Sequence, residues 1–429
     1  AVGDGTFQRI TSTGGDSVAI GFNALNGTAA GTCEKNVAIG VYSMNVNQTH
    51  VTNNTAVGYQ SLRYMAGSPA NYNSAFGSDA GMSITAGSYN TAIGSGVLGE
   101  ASGNAITGDF NTGVGSLALY NAQGTANANT AVGYRAGFNT TTASGSTCIG
   151  FQAGDAITTA SGSVFVGLDA GGNVQTGNFN IAVGLGAMNA GGTGNSNIAM
   201  GAYALDALTS GADNIAIGAN AGGELTTAIR NVLIGREAGF NIQGGDGSNT
   251  AIGVFALDAV TTGKDNTGLG YSTDPSSATA INQTMVGKGT TGQANHAVVL
   301  GDDDGTRVYM SQDGDAEMYA NGTINTSDER LKKDIQDSDL GLDFINKLRP
   351  VSYKFKKDKQ DKKLKYGIIA QEVQEVLKDS HEDFAGITEK GEYLGADYVQ
   401  FIAPLMKAVQ ELSEQNKVLE KRLEELESK

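Results

Sequence analysis

A single short phrase, Asn-x-Ala-(Ile/Val)-Gly, recurs through the first two-thirds of this chain and leaves it very few folds. It stands intact at Asn54–Gly58, Asn90–Gly94, Asn129–Gly133, Asn214–Gly218 and Asn249–Gly253. With its variants, the closing glycine returns 16 times between Gly21 and Gly287, and every step from Gly133 to Gly235 is 17 residues. A fixed short period means one structural unit stacked on its neighbour. Seventeen residues cannot hold a helical hairpin; they predict two short strands and two turns per rung. The residue before each closing glycine is apolar, the one before that is usually Ala, and Asn stands four before it in 12 of 16 copies. Strand alternation puts this Asn and Ala on one face and the Ile/Val on the other, so both faces are expected to be buried or in contact. Stacked Asn side chains form hydrogen-bonded ladders along such an array. The glycine permits the positive φ of a tight turn. At about 4.8 Å between stacked strands, 16 rungs predict roughly 75 Å of shaft.

A thin coil filled with Ala buries little by itself, and an outward row of Ile/Val needs a partner. Self-association along the shaft meets that need and covers strand edges. Over residues 17–287 the phrase resembles the β-roll head repeats of trimeric autotransporter adhesins, whose repeat is somewhat shorter. No outer-membrane anchor is read after the repeats, which points away from an autotransporter.

Composition removes other classes. The chain has 429 residues, 62 of them Gly but only four Pro, so it is not collagen. Its net charge is −16, most of it on residues 1–326, and an acidic shaft does not track nucleic-acid phosphates. No run of about 18 apolar residues predicts a membrane helix, and no secretory signal is visible from Ala1 on. Cys33 and Cys148 form neither a disulfide framework nor a metal spacing, and Cys148 fills a slot that other repeats give to Ala. Gly184-Leu-Gly186 has no βαβ context for a dinucleotide. His50, His296 and His381 are scattered, and Asp302-Asp303-Asp304 reads as a solvated turn. Thr140-Thr141-Thr142 and Thr226-Thr227 suggest a flat threonine array, but read as not recurring in register. No cofactor and no metal is expected.

From Asn325 the chemistry changes: all but five of the glycines lie before it, and the chain becomes Lys-rich and helical. Four motifs follow in order: Thr326–Ile335 (TSDERLKKDI), Leu348–Phe355 (LRPVSYKF), Tyr366–Leu377 (YGIIAQEVQEVL) and Gly395–Leu412 (GADYVQFIAPLMKAVQEL). Their order and wording resemble the C-terminal intramolecular chaperone of phage tail fibres, tailspikes and endosialidases. The resemblance implies a domain that trimerises its fibre and, in many members, cuts itself off just before the motif's Ser. It places the scissile bond at Thr326–Ser327 and a Ser-Lys dyad on Ser327 and Lys332. A hydroxyl is a poor nucleophile without a base, and a neutral Lys serves as one when burial or cations such as Arg330 and Lys333 favour that form. Residues i and i+5 face apart on a helix or a strand, so the pair meets only across a turn, at an element end, or between chains. The same stretch also reads as a plain helix start, with Thr326-x-x-Glu329 as capping box and Leu331 and Ile335 at helical spacing. Glu372, on a helix predicted over Gln371–Val376, reads as a solvated face in preference to a catalytic assistant. Pro404 marks a helix start or kink. Leu405, Leu412, Leu419 and Leu426, with Val409, Asn416 and Leu423 between them, are d and a positions of a short parallel coiled coil over about 402–428.

The expected fold is therefore mainly β: a trimeric β-roll or β-solenoid shaft of about 17-residue repeats, then an α+β chaperone domain ending in a coiled coil. Residues 1–16 form a lead-in, 17–301 the shaft, 302–326 a β neck with strands at Arg307–Met310 and Glu317–Tyr319, and 327–429 the chaperone. The function this implies is a homotrimeric phage tail fibre that binds a host cell-surface receptor, such as a glycan, and other tail proteins. Its place is the virion, after synthesis in the host cytoplasm. Its only enzymatic act is single-turnover self-cleavage. A bacterial trimeric surface adhesin, or a fibre that keeps its chaperone, is the alternative. An enzyme acting on glycan would need a carboxylate pair that the repeat does not show.

Overall fold

The structure is a computed structural model, and it describes residues 2–5, 16–27, 33–45, 51–65, 70–99, 105–302, 329–354, 364–378, 380–381, 384–390 and 393–428. The neck, the scissile pair Thr326 and Ser327, His50 and the end of the Asp302–Asp304 run lie outside these residues. Two compact units emerge, Ala1–Ala316 and Glu317–Lys429.

The first unit is a β-solenoid. Three-residue strands from Val18–Ile20 to Val298–Leu300 join into one 17-stranded parallel sheet. Each strand pairs in register with the next, so Ala199 lies beside Ala216 and Met200 beside Ile217. The phrase fixes this register: the residue before Ala, the Ala, and the apolar residue before Gly are the strand. Asn295–Gly301 closes the sheet as a last, irregular rung. At the other end Val2 already stacks on Ile20, and its N–H donates to the Ala19 carbonyl at 3.1 Å.

The expectation of two strands per rung is only half met. In most rungs one strand forms and the rest is turn; a second, two-residue strand appears where Cys33–Glu34 pairs with Val51–Thr52, and elsewhere only single bridges such as Ile84 with Ile106 mark it. Left-handed residues recur two and four places after the closing glycine, as at Tyr203 and Leu205, and five before it, as at Asp213, and they bend the chain out of any second long strand. The turns still bond rung to rung, so backbone groups stay paired. The closing glycines carry more than a turn. Gly218 sits at φ +136°, and a Cβ there would lie 2.4 Å from the Gly235 carbonyl oxygen. The glycines form a column in which backbone touches backbone, which excludes any side chain.

Inside the coil the Asn column forms the expected ladder. Asn231 Nδ2 donates to Asn214 Oδ1 at 2.9 Å, Asn214 Nδ2 to Asn197 Oδ1 at 3.0 Å, and Asn197 Nδ2 to Asn180 Oδ1 at 3.2 Å. Each Asn N–H also donates to the same Oδ1, as Asn231 does at 3.0 Å. Asn214 Nδ2 reaches the Ala228 carbonyl as well, at 2.9 Å, so a buried amide keeps its partners in an apolar core. Ser146 and Ser163 interrupt the ladder and carry it through their hydroxyls. The Ala column packs against the residue four after the glycine, and volume is traded between them. Where Phe165 and Leu233 replace Ala, Gly171 and Gly239 stand opposite; where Leu257 is large, Gly268 gives way. Cys148, in the same column, is buried, and burial pushes its thiol up to about 12, which leaves an inert apolar side chain.

The threonine pairs do recur in register, contrary to the sequence reading. Thr141 lies one rung from Thr158, and Thr209 one from Thr226, each hydroxyl donating to the next rung's carbonyl. Gln175, Gly192 and Gln243 occupy the same column, so it is not a flat threonine lattice.

Gly218→Ala is expected to destabilise the shaft by roughly 2–4 kcal/mol, because strain at a left-handed position adds to a backbone clash. Thermal unfolding checks it, and an unchanged midpoint would mean that the glycine column can spread. Asp274 makes a second prediction. Burial pushes its carboxyl up to about 6; the Ala259 N–H, 3.1 Å away, draws it back, and the Asp258 carboxylate adds to the rise. A raised folded-state pKa favours the native state at low pH, and this contribution is lost as pH rises through about 6. Asp274→Asn is therefore expected to stabilise the shaft at pH 7 by about 1–2 kcal/mol and to have little effect at pH 4. Unfolding curves of both proteins at the two pH values test this, and an equal shift at both would contradict it.

Candidate functional site

The second unit is small. Helix α1 (Leu342–Lys347), helix α2 (Ala370–Leu377) and helix α3 (Ile402–Glu427) combine with two antiparallel pairs. Val351–Tyr353 pairs with Lys365–Gly367, and Ile387–Lys390 with Tyr393–Ala396. Their core is Phe344, Val373, Leu377 and Phe401, with Phe384 closing it edge-on against Phe401 at 5.2 Å. The Val373/Leu377 pair is the i, i+4 face of α2.

Polar contacts hold the pieces in place. Helix α1 begins at Gly341, which has no side chain to cap it, and Glu411 of α3 accepts the Leu342 N–H at 2.7 Å instead. A Cβ on Gly341 would meet that carboxylate. The carboxylate at a helix N-terminus also suits the dipole. Sequence reasoning missed Glu411, because it lies between heptad positions and its target is 69 residues away. Glu372 pairs with Arg349, and that contact lowers its carboxyl below the usual range. This gives the residue a structural partner and agrees with its reading as a helix surface. His381 Nε2 lies 3.0 Å from Asp339, and His296 Nδ1 lies 3.0 Å from Asn282. No group of three metal-ligating side chains occurs among the described residues.

At the junction, Glu329–Leu331 makes a single 3-10 turn, and the Lys332 N–H donates back to the Glu329 carbonyl at 3.0 Å. The helix that the capping-box reading extends to Ile335 does not form. Asp334 is left-handed at φ +53°, Ile335 is exposed, and the Asp/Ser-rich stretch beyond favours turns. Lys332 is thus placed at the end of a turn, exposed in a single chain. Its expected partner Ser327 falls outside the described residues.

Helix α3 is built in two parts. Pro404 lies in its first turn, where the missing N–H costs nothing, and is buried with Ala408 against the unit. From Leu412 to Ser428 every residue is exposed. Within that stretch Leu412, Leu419, Leu423 and Leu426 are 46–70 % exposed on heptad spacing. No described helix is long and apolar enough to cross a membrane.

Residues 327–380 match the family described as the chaperone of endosialidase. The match begins at Ser327 and runs through α1 and α2. No curated protein matches the chain in sequence.

Proposed function

We propose that this chain is a homotrimeric attachment fibre of a phage tail, whose C-terminal unit drives trimerisation and then releases itself by cutting Thr326–Ser327. The observation that carries the reading is the bare second half of α3. Four turns of isolated helix are marginal in water, and a leucine stripe without a partner is unfavourable. Three copies packed through Ile402, Leu405, Val409, Leu412, Leu419, Leu423 and Leu426 remove both problems, with Asn416 fixing the register. The shaft has the same need. Ile20, Phe76, Ile93, Ile149 and Met200 point out of the sheet, each about 40 % exposed in a single chain.

The cut follows from residues at the junction. Ser327 Oγ attacks the Thr326 carbonyl carbon, and neutral Lys332 takes the hydroxyl proton. The C–N bond breaks, Lys332 returns the proton to the Ser327 nitrogen, and Thr326 is held as an ester. Water then opens the ester, leaving a Thr326 carboxylate and restoring the Ser327 hydroxyl. Lys332, exposed in one chain, needs desolvation to act as a base, and a neighbouring chain in the trimer supplies it. Host attachment, other tail proteins and the virion as location belong to this reading. A surface adhesin shares the shaft but not the chaperone-type unit.

Light scattering of the purified protein tests the assembly. Three chains are expected, and a mass of one chain, 43.9 kDa, would remove the reading.

A further inference from the structure

On the shaft wall, six and eight residues after the closing glycine, lies a groove of about 380 Å³ over four successive rungs. That is nearly half a turn of the coil from the outward Ile/Val row, so trimer packing through that row leaves the groove open. Asn121, Gln123, Asn139, Thr141, Thr158 and Gln175 line it, and Ala156 lies where the amide row would continue. We infer that this groove binds a neutral polysaccharide laid along the shaft axis. The inference rests on the attachment-fibre reading and names the ligand class of that fibre.

The chemistry of the lining selects the ligand. No lining side chain is ionisable, although the chain carries a net charge of −16. Arg135 and Asp155, on the same rungs, neutralise each other at 3.0 Å. A charged ligand finds no counter-charge here, and an apolar one would strip water from amides and hydroxyls without replacing their hydrogen bonds. Hydroxyl-rich chains replace them. Thr141 Oγ1 donates to the Thr158 carbonyl at 2.8 Å, and Thr158 Oγ1 to the Gln175 carbonyl at 3.0 Å. Both hydroxyl oxygens are thereby oriented as acceptors. Asn121 Nδ2 donates to Asn139 Oδ1 at 2.8 Å, which fixes the Asn139 amide with its Nδ2 as a donor. Acceptors and donors fixed in advance reduce the ordering cost of binding. The rung repeat gives the site a period along the axis, as a polymer has and a lone sugar does not. Tyr120 and Phe138, one residue before each Asn, stack at 5.2 Å with the Arg135 guanidinium over Phe138, and they stiffen these rungs. Farther along the two columns hold Ala190 and Gly192, Ala207 and Thr209, or Glu224 and Thr226, and the amide pair returns on a single rung as Asn241 and Gln243, so only these four rungs line the groove.

The test is retention of the full-length protein on a printed array of neutral polymers (mannan, galactan, dextran) and acidic ones (polysialate, hyaluronate). Retention on at least one neutral polymer is expected. It should fall at least tenfold in Asn139→Leu/Gln175→Leu, which removes amides, and in Ala156→Arg, which fills the groove and removes none. Asn241→Leu, in the same column farther along, should retain the wild-type value. Trimer mass and thermal unfolding of each variant separate a lost site from a lost fold. Retention on acidic polymers alone, equal retention in all variants, or none on any polymer would overturn the inference. A trimer that releases Ser327–Lys429 yet retains no polymer ends this inference and leaves the fibre reading standing. A protein that forms no trimer ends the fibre reading itself.

Discussion

Ser327→Ala and Lys332→Ala chains are each expected to stay whole, as a single uncut band, while the wild type releases a fragment beginning at Ser327. Without the Ser327 hydroxyl there is no group at that bond to attack the Thr326 carbonyl, so release should stop. Loss of the Lys332 base should slow it by on the order of 10²–10⁴-fold. Neither residue is a member of the Phe344/Val373/Leu377/Phe401 core or of the α3 heptad positions, so both variants should still form trimers. Leu419→Asp does the reverse. It places a charge in the proposed seam and should slow trimer formation and cutting together. A fragment released at normal speed by Ser327→Ala, or one starting at another residue, would remove the dyad. The 3-10 turn at Glu329–Leu331 would then be only a turn.

Deleting residues 327–429 is expected to abolish soluble trimeric shaft, although the mature fibre of this reading lacks that segment. Every strand pair in the 17-stranded sheet joins successive rungs, so the solenoid can grow locally along one chain. Nothing in that pairing aligns three chains. The outward Ile/Val row repeats at every rung, so a shift by one rung still matches apolar to apolar, and wrong registers compete. In the proposed trimer a coiled coil of α3 sets the alignment before the shafts meet, with Asn416 as a polar mark that only one register satisfies. Without it the expected product is misaligned, aggregating shaft. Soluble, correctly sized trimers from the shortened gene, seen by gel filtration with light scattering, would remove the chaperone role.

The solenoid was legible because its constraints repeat. One Asn, one Ala and one Gly at fixed offsets gave the ladder, the inward face and the turn. The second predicted strand survives only as a two-residue pair at Cys33–Glu34 and Val51–Thr52 and as single bridges, because left-handed residues such as Tyr203, Leu205 and Asp213 turn the chain in the other rungs. Tyr203 and Leu205 are residue types that do not signal a left-handed conformation, although Asp213 is one that does. The threonine register was lost for a related reason. Thr141-Thr142 and Thr226-Thr227 are 85 positions apart, a multiple of the period, but Gln175 and Gly192 hide the column between them. At the junction, motif wording alone proposes Ser327 and Lys332, whereas Glu411 was invisible because its task is to cap a helix distant in sequence. The helix predicted to Ile335 failed at Asp334, where local turn chemistry outweighed the apolar spacing.

In the proposed fibre, assembly precedes and permits the cut. Native mass spectrometry of newly made wild-type protein, sampled over time, follows both events in one experiment. Whole trimers are expected to accumulate first, with fragments beginning at Ser327 released from trimers alone. Fragments of that kind leaving single chains, or a protein that stays at 43.9 kDa as one chain, would contradict it.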